Sequence, residues 1–122
     1  MKVKCVKIIN PTTGEEFERD SWLTLGQTYL VLEISVEKKR WMSYRLMSNN
    51  NSTPAIFDAQ QFEVVSNKIP DEWCFDFVSP NYVGITPKAW IHDGFWEDYF
   101  NGEPEAEKIF RETRDRLIAD DP

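Results

Sequence analysis

Residues 28–48, TYLVLEISVEKKRWMSYRLMS, decide the fold. In the first arm Leu30, Leu32, Ile34 and Val36 recur at every second position, with Glu33, Ser35 and Glu37 between them. In the second arm Met42, Tyr44 and Leu46 alternate against Ser43 and Arg45. Period-two alternation on both sides of the short polar connection Lys38-Lys39-Arg40 predicts a β-hairpin, with its apolar and charged residues on opposite faces. Gly26 stands just before this unit. Further upstream, residues 2–9 (KVKCVKII) are apolar and β-branched enough for a first strand, and Asn10-Pro11-Thr12-Thr13-Gly14 is a turn cluster. Phe17, Trp22 and Leu23 interrupt the polar segment between them and are expected to pin it to the core. Downstream, residues 49–54 form a polar loop and residues 55–57 a short strand. Residues 58–61 then read as a turn or one 3₁₀ turn, and residues 62–65 as a closing strand. Five short strands without an intervening helix predict a small antiparallel barrel, which would leave no free edge.

Beyond Pro70 the pattern changes. Residues 71–78 alternate Trp73, Phe75 and Phe77 with Cys74 and Asp76, and residues 82–85 are placed to pair with them across Ser79-Pro80-Asn81. Residues 87–91 fit no single element. Phe95, Trp96, Tyr99 and Phe100 fall on one side of a helical turn that Asp93 is expected to cap. Pro104 opens a longer helix with Glu105 and Glu107 in its first turn and Arg114 and Arg116 toward its end. Ala106, Ile109, Phe110, Thr113 and Leu117 make one apolar stripe, and Glu107–Arg111 and Glu112–Arg116 are i,i+4 pairs. The chain of 122 residues reads as a single domain: a barrel over residues 1–67 and an extension with an acidic helix over 68–122.

Charge is distributed unevenly. Residues 1–67 hold 8 acids and 8 bases, whereas residues 92–122 hold 10 acids and 4 bases, so −6 of the formal −7 lies in the last segment. A concentrated acidic surface attracts basic partners and repels nucleic acid, and with a pI near 4.7 it opposes phosphate binding by Lys2, Lys4, Lys7 and Lys38-Lys39-Arg40. Hydrophobic content of 41% excludes a disordered chain, and no apolar run reaches the roughly 18 residues of a membrane span. The first residues show no secretory pattern, which predicts a cytoplasmic protein with Cys5 and Cys74 as free thiols; a single disulfide between them is the alternative. The sequon at residues 51–53 is read as chance.

Candidate chemistry is sparse. His92 is the only histidine, and His92, Asp93 and Glu97 do not amount to the three or four converging ligands of a zinc site. No nucleophile elbow or glycine-rich phosphate loop occurs, so no enzyme, metal or cofactor is expected. Carboxylate pairs such as Glu97/Asp98 or Glu103/Glu105 would serve acid–base catalysis only in a shielded cleft that splits their pKa values. An aromatic residue ringed by carboxylates instead suits protein recognition. The candidate partner contacts are therefore Trp96, Glu97, Asp98, Glu103 and Glu105, with Asn49, Asn50 and Asn51 as a second loop; Phe95 and Phe100 are assigned to the core.

The glycine entry in LTLGQTYLVLEI and the order of WMSYRLMSNNNSTPAIFDAQQFEVV resemble a bacterial SH3-like barrel. In the second segment a strand, polar loop, short strand, single turn and closing strand follow one another. The resemblance covers about half the chain and implies a mainly β (α+β) fold: an SH3-like antiparallel β-barrel extended by a β-hairpin and a C-terminal α-helix. The acidic loop and tyrosine pair of the proline-peptide-binding SH3 domains are not recognisable here. In size, charge and plan, the whole chain is similar to immunity proteins of bacterial toxin systems, including contact-dependent growth inhibition. That likeness implies one-to-one neutralisation of a cognate basic toxin domain, commonly a nuclease. The alternative is a small SH3-like adaptor or regulatory module, phage-borne in one version, that binds a host protein or peptide.

Overall fold

The computed structural model describes residues 1–50 and 53–122. Its organising element is the long strand β4 (Thr28–Glu37), reached through β1 (Lys2–Cys5) and a small hairpin of β2 (Ile8–Ile9) and β3 (Glu16–Phe17). The expected first strand is thus split in two, and Asn10 shapes the following turn by accepting hydrogen bonds from the amides of Thr12 and Thr13. One edge of β4 pairs with β5 (Trp41–Met47), and β5 pairs with β6 (Pro54–Asp58). The other edge is shared. Its first half pairs with β1, and its second half, Ile34 to Glu37, pairs with β9 (Tyr82–Pro87). The strand β7 (Phe62–Ser66) continues from β1, and β8 (Trp73–Ser79) continues from β9. All these pairings are antiparallel, as expected.

The sheet does not close into a barrel: its order is β6-β5-β4-β1-β7, and β6 and β7 do not pair. A 3₁₀ turn at Ala59–Gln61 redirects the chain between them. It sets the Phe62 ring edge-on to Tyr44 and Tyr29, with centroids 5.9 and 6.4 Å away. The sheet therefore curls over its core through side chains rather than through a completed hydrogen-bond ladder.

Simple alternation also fails in β4. The register shifts between Val31 and Glu33, leaving Leu32 as an extra residue, and the Leu32 carbonyl accepts a hydrogen bond from Trp73 Nε1 at 3.0 Å. The bulge lets Val31 and Leu32 both be buried, and beyond it Glu33, Ile34 and Ser35 are all buried, so both faces of the strand are covered there. Of the charged face, Glu33 and its partner Arg45 lie against Trp96 of the C-terminal segment, whereas Glu37 stays half-exposed beside Arg40.

That segment consists of a 3₁₀ turn (Lys88–Trp90), α1 (Phe95–Phe100) and α2 (Pro104–Asp120). Pro104 starts α2 as expected, and Ala106, Phe110, Thr113 and Leu117 are its buried stripe. The Trp90 ring stacks on Phe110 (5.4 Å) and on Phe95 (6.1 Å), while Tyr99 lies 4.7 Å from Phe110. These rings join both helices to the 3₁₀ turn that follows β9. Asp93 does not cap α1; Gly94, at φ +78, occupies that position, where the left-handed backbone favours glycine. Arg111 reaches Glu107 at 3.9 Å, but Arg116 pairs with Glu72 (2.8 Å) rather than with Glu112, tying α2 to the entry of β8.

In the loop before β4, Leu23 alone is buried; Phe17 and Trp22 remain exposed, so the expected pinning is done by one residue. Cys5 is buried and Cys74 partly so; both thiols are free, and burial pushes the Cys5 pKa up. Among the described residues, no helix is long and apolar enough to cross a membrane.

Candidate functional site

The acidic rim grows from the α1–α2 turn. The Glu103 amide donates to the Asp98 carbonyl at 3.0 Å, and the Glu107 amide to the Glu103 carbonyl, so the chain passes directly from one helix into the next. Glu97, Asp98, Glu103 and Glu105 are all exposed, as is Asp93. None of these five carboxylates has an ion-pair partner among the described residues, and no lysine or arginine lies between positions 93 and 105. Of the other acids of α2, Glu107, Asp115 and Asp120 each pair with a base, and Glu112 does not among the described residues.

The aromatic anchor is placed differently from expectation. Trp96 is only partly exposed, held by Trp90, Phe95, Tyr99, Phe100 and Phe110 with centroids 5.1 to 6.0 Å away. Arg45 covers it, with the guanidinium carbon 3.9 Å from the ring centroid. Phe100, assigned to the core from sequence, is 56% exposed and is the open ring beside the acids. Burial pushes the Tyr99 phenol up, with a further rise from Glu107, so Tyr99 is a neutral neighbour.

Behind Trp96 lies a polar groove of about 550 Å³ between the β4–β9–β8 face and the segment from Trp90 to Glu97. Cross-strand register explains its floor: Glu33 sits opposite Arg45, Ser35 opposite Gly84, and Gly84 opposite Asp76. Arg45 Nε donates to Glu33 Oε1 at 2.5 Å, and Tyr82 Oη donates to Ser35 Oγ at 3.0 Å. Two further lining residues, Thr86 and Trp90, are buried, and their Oγ1 and Nε1 atoms have no hydrogen-bond partner among the described residues. His92 lies exposed at the mouth, its Nδ1 3.2 Å from the Asp93 carbonyl. Sequence reading did not bring Glu33, Arg45, Thr86 and Trp90 together, because they lie on four separate elements. The local signal was two opposite charges at paired positions of one hairpin.

The described end of the asparagine loop meets the rim at Thr53, which lines a small cleft with Tyr99, Phe100, Gly102 and Glu107. Asn49 works internally: Oδ1 accepts from Tyr29 Oη at 2.7 Å, Nδ2 donates to Thr24 Oγ1, and its amide donates to the Trp22 carbonyl. Asn50 is exposed, and Asn51 lies outside the described residues. Near this loop an apolar cleft of about 410 Å³ is lined by Trp22, Leu23, Ile56 and Phe57, with Asp20 and Asp58 beside them. No group of three or more His, Cys, Asp or Glu placed to hold a metal ion occurs among the described residues.

Comparison with known protein families, with curated proteins and with solved structures found no match.

Proposed function

We propose that this chain is a cytoplasmic, non-catalytic immunity protein that binds a basic bacterial toxin domain one-to-one and covers its functional surface. The observation that carries the reading is the run of five exposed, unpaired carboxylates from Asp93 to Glu105, with no base among them. Carboxylates held apart from internal counter-ions keep their field for an incoming molecule. The stacked rings behind them give that field a rigid mount, and Phe100 supplies apolar contact at its edge. A nuclease suits such a rim, because its own substrate surface must be basic to hold phosphates. In this reading β1 and β4 to β7, with the 3₁₀ turn before β7, form an SH3-like scaffold that serves as support.

Co-expression with the product of any toxin-like reading frame adjacent to this gene is the test, and the absence of such a frame counts against the proposal. Rescue of growth and co-purification of the two proteins are expected; failure of both removes the proposal.

A second reading, an adaptor that binds a peptide, is favoured by the apolar cleft at Trp22, Ile56 and Phe57. The two readings separate by mutation. Trp22→Ala with Ile56→Ala abolishes partner binding only in the adaptor, and Glu97→Lys with Asp98→Lys weakens it only in the immunity protein.

A further inference from the structure

The apolar cleft beside β6 lies along an open edge of the sheet. β6 ends the strand order and pairs on one side only, with β5. Consecutive strand side chains point to opposite faces, yet Ala55, Ile56, Phe57 and Asp58 all line the cleft, so it follows the edge between the two faces. Trp22 and Leu23, from the loop before β4, supply further apolar lining. Gln61 closes the cleft against Ile9: its Oε1 accepts from the Ile9 amide at 3.0 Å, and its Nε2 donates to the Asp58 carbonyl at 3.4 Å. Among the described residues, no main-chain group of β6 bonds to a strand other than β5, so the outer side of the edge keeps donors and acceptors for another strand. Trp22 is 45% and Ile56 51% exposed, so the fold itself leaves this apolar surface uncovered.

The surroundings of this edge are acidic. Asp20 and Asp58 line the cleft, and neither has an ion-pair partner among the described residues. Residues 14–22 are all exposed and carry Glu15, Glu16, Glu18 and Asp20 against one base, Arg19. At the start of β6, Thr53 shares a small cleft with Phe100 and Glu107, so the edge runs on from the acidic rim. The β8 edge differs, because the Lys38 amide donates to the Asn81 carbonyl at its turn and brings Lys38-Lys39-Arg40 beside it. We propose that an extended peptide segment of alternating basic and apolar residues adds to β6 as a further strand. Its main chain pairs with the open groups of the β6 edge. One apolar side chain enters the cleft against Trp22, Leu23 and Phe57, and lysine or arginine on either side of it faces Asp58 and Asp20. A second copy of this chain does not meet that charge with its own free β6, PAIFD, which brings an acid and no base. This inference rests on the adaptor reading and names its peptide.

The test uses the full chain, ¹⁵N-labelled, titrated with acetyl-Val-Lys-Leu-Lys-Val-amide and with the same peptide carrying glutamate for lysine. Saturable shifts of the amides from Ala55 to Asp58 and of the Trp22 indole N–H are expected with the lysine peptide and not with the glutamate one. N-methylation of alternate peptide amides is expected to weaken binding about tenfold, and N-methylation of those between them to leave it unchanged, the period-two mark of an added strand. No saturable shift, or tolerance of methylation at every amide, overturns the proposal. Shifts of the same amides that grow with protein concentration before any peptide is added assign the edge to a second copy and also overturn it. Binding of the glutamate peptide at these amides removes the basic strand and keeps the cleft as the site of the adaptor reading. No shift with either peptide, together with partner binding that survives Trp22→Ala/Ile56→Ala, removes both.

Discussion

Replacing Arg45 with methionine removes the cation that Glu33 and Trp96 share. The two charged side chains are 11% and 10% exposed, with Nε and Oε1 2.5 Å apart. Methionine retains much of the aliphatic volume, so the change acts mainly on charge. It leaves the Glu33 carboxylate buried without its counter-ion, at a cost of about 3–5 kcal/mol. Loss of the guanidinium over the Trp96 ring costs about 1–2 kcal/mol more. Domains of this size are stable by only about 5–15 kcal/mol, so the effect is large. With a urea m-value of about 1–3 kcal/mol/M, a loss of about 3 kcal/mol lowers the unfolding midpoint by roughly 1–3 M. For 122 residues at about 2.1 cal/mol/K each, the same loss lowers Tm by about 12 °C. Urea titration followed by tryptophan fluorescence reads it directly. The double variant Glu33→Met/Arg45→Met is expected to recover much of the stability, because removing both charges together is close to neutral. An Arg45→Met variant within about 1 kcal/mol of wild type refutes a buried pair, since that is what an exposed pair contributes. A double variant as unstable as the sum of the singles refutes the coupling.

Other parts of the molecule yield smaller, separable effects. Phe110 is fully buried against Trp90, Trp96 and Tyr99, so Phe110→Ala is expected to cost about 3–5 kcal/mol in the same urea assay. A loss under about 1 kcal/mol would mean that α2 is not docked there. The Asp121 carboxyl is held below its ordinary range by the Ser66 hydroxyl and then by the Met1 ammonium. Because the folded pKa is the lowered one, its contribution is full above the unfolded value and is lost as pH falls through the folded value. Ser66→Ala is expected to raise the Asp121 titration, read by carboxyl NMR; an unchanged titration contradicts the hydrogen bond. Trp41 sits at φ +66 with 78% of its surface exposed, so Trp41→Gly is expected to stabilise the hairpin by about 0.5–1 kcal/mol. Destabilisation would show that the ring packs more than its exposure suggests.

Local pattern carried the hairpin β4–β5, the 3₁₀ turn before β7, the β8–β9 pair and α2, because each is written in periodicity, turn residues or a helix-starting proline. It failed where coverage is non-local. Glu33, Ser35 and Arg45 alternate as polar residues of one face, yet Trp96 of α1, encoded some 50 residues later, packs on Arg45, which pairs with Glu33, while Tyr82 of β9 bonds Ser35. The Leu32 bulge adds one residue that strict alternation cannot register. The roles of Trp96 and Phe100 were exchanged for the same reason, since helical spacing places both on one side, and Trp90, Phe110 and Arg45, all distant in sequence from Trp96 or on other elements, decide which is covered. Barrel closure was inferred from strand count, but closure depends on how the Ala59–Gln61 turn aims β7, which strand count does not encode. The acidic rim was legible because charge is counted residue by residue. The groove was not, because its floor is assembled from β4, β5, β8 and β9.

The central claim is that the unpaired carboxylates capture a basic protein. Its most direct test is the association rate constant with a basic toxin domain that the chain protects against in co-expression, for wild type and for Glu97→Lys/Asp98→Lys/Glu103→Lys, at low and high salt. At low salt the variant is expected to associate about 10- to 100-fold more slowly, because steering by the acidic field is reversed. The two rates are expected to converge near 1 M salt, where the Debye length is about 3 Å. Equal rates at low salt, with no dependence on ionic strength, would contradict the claim.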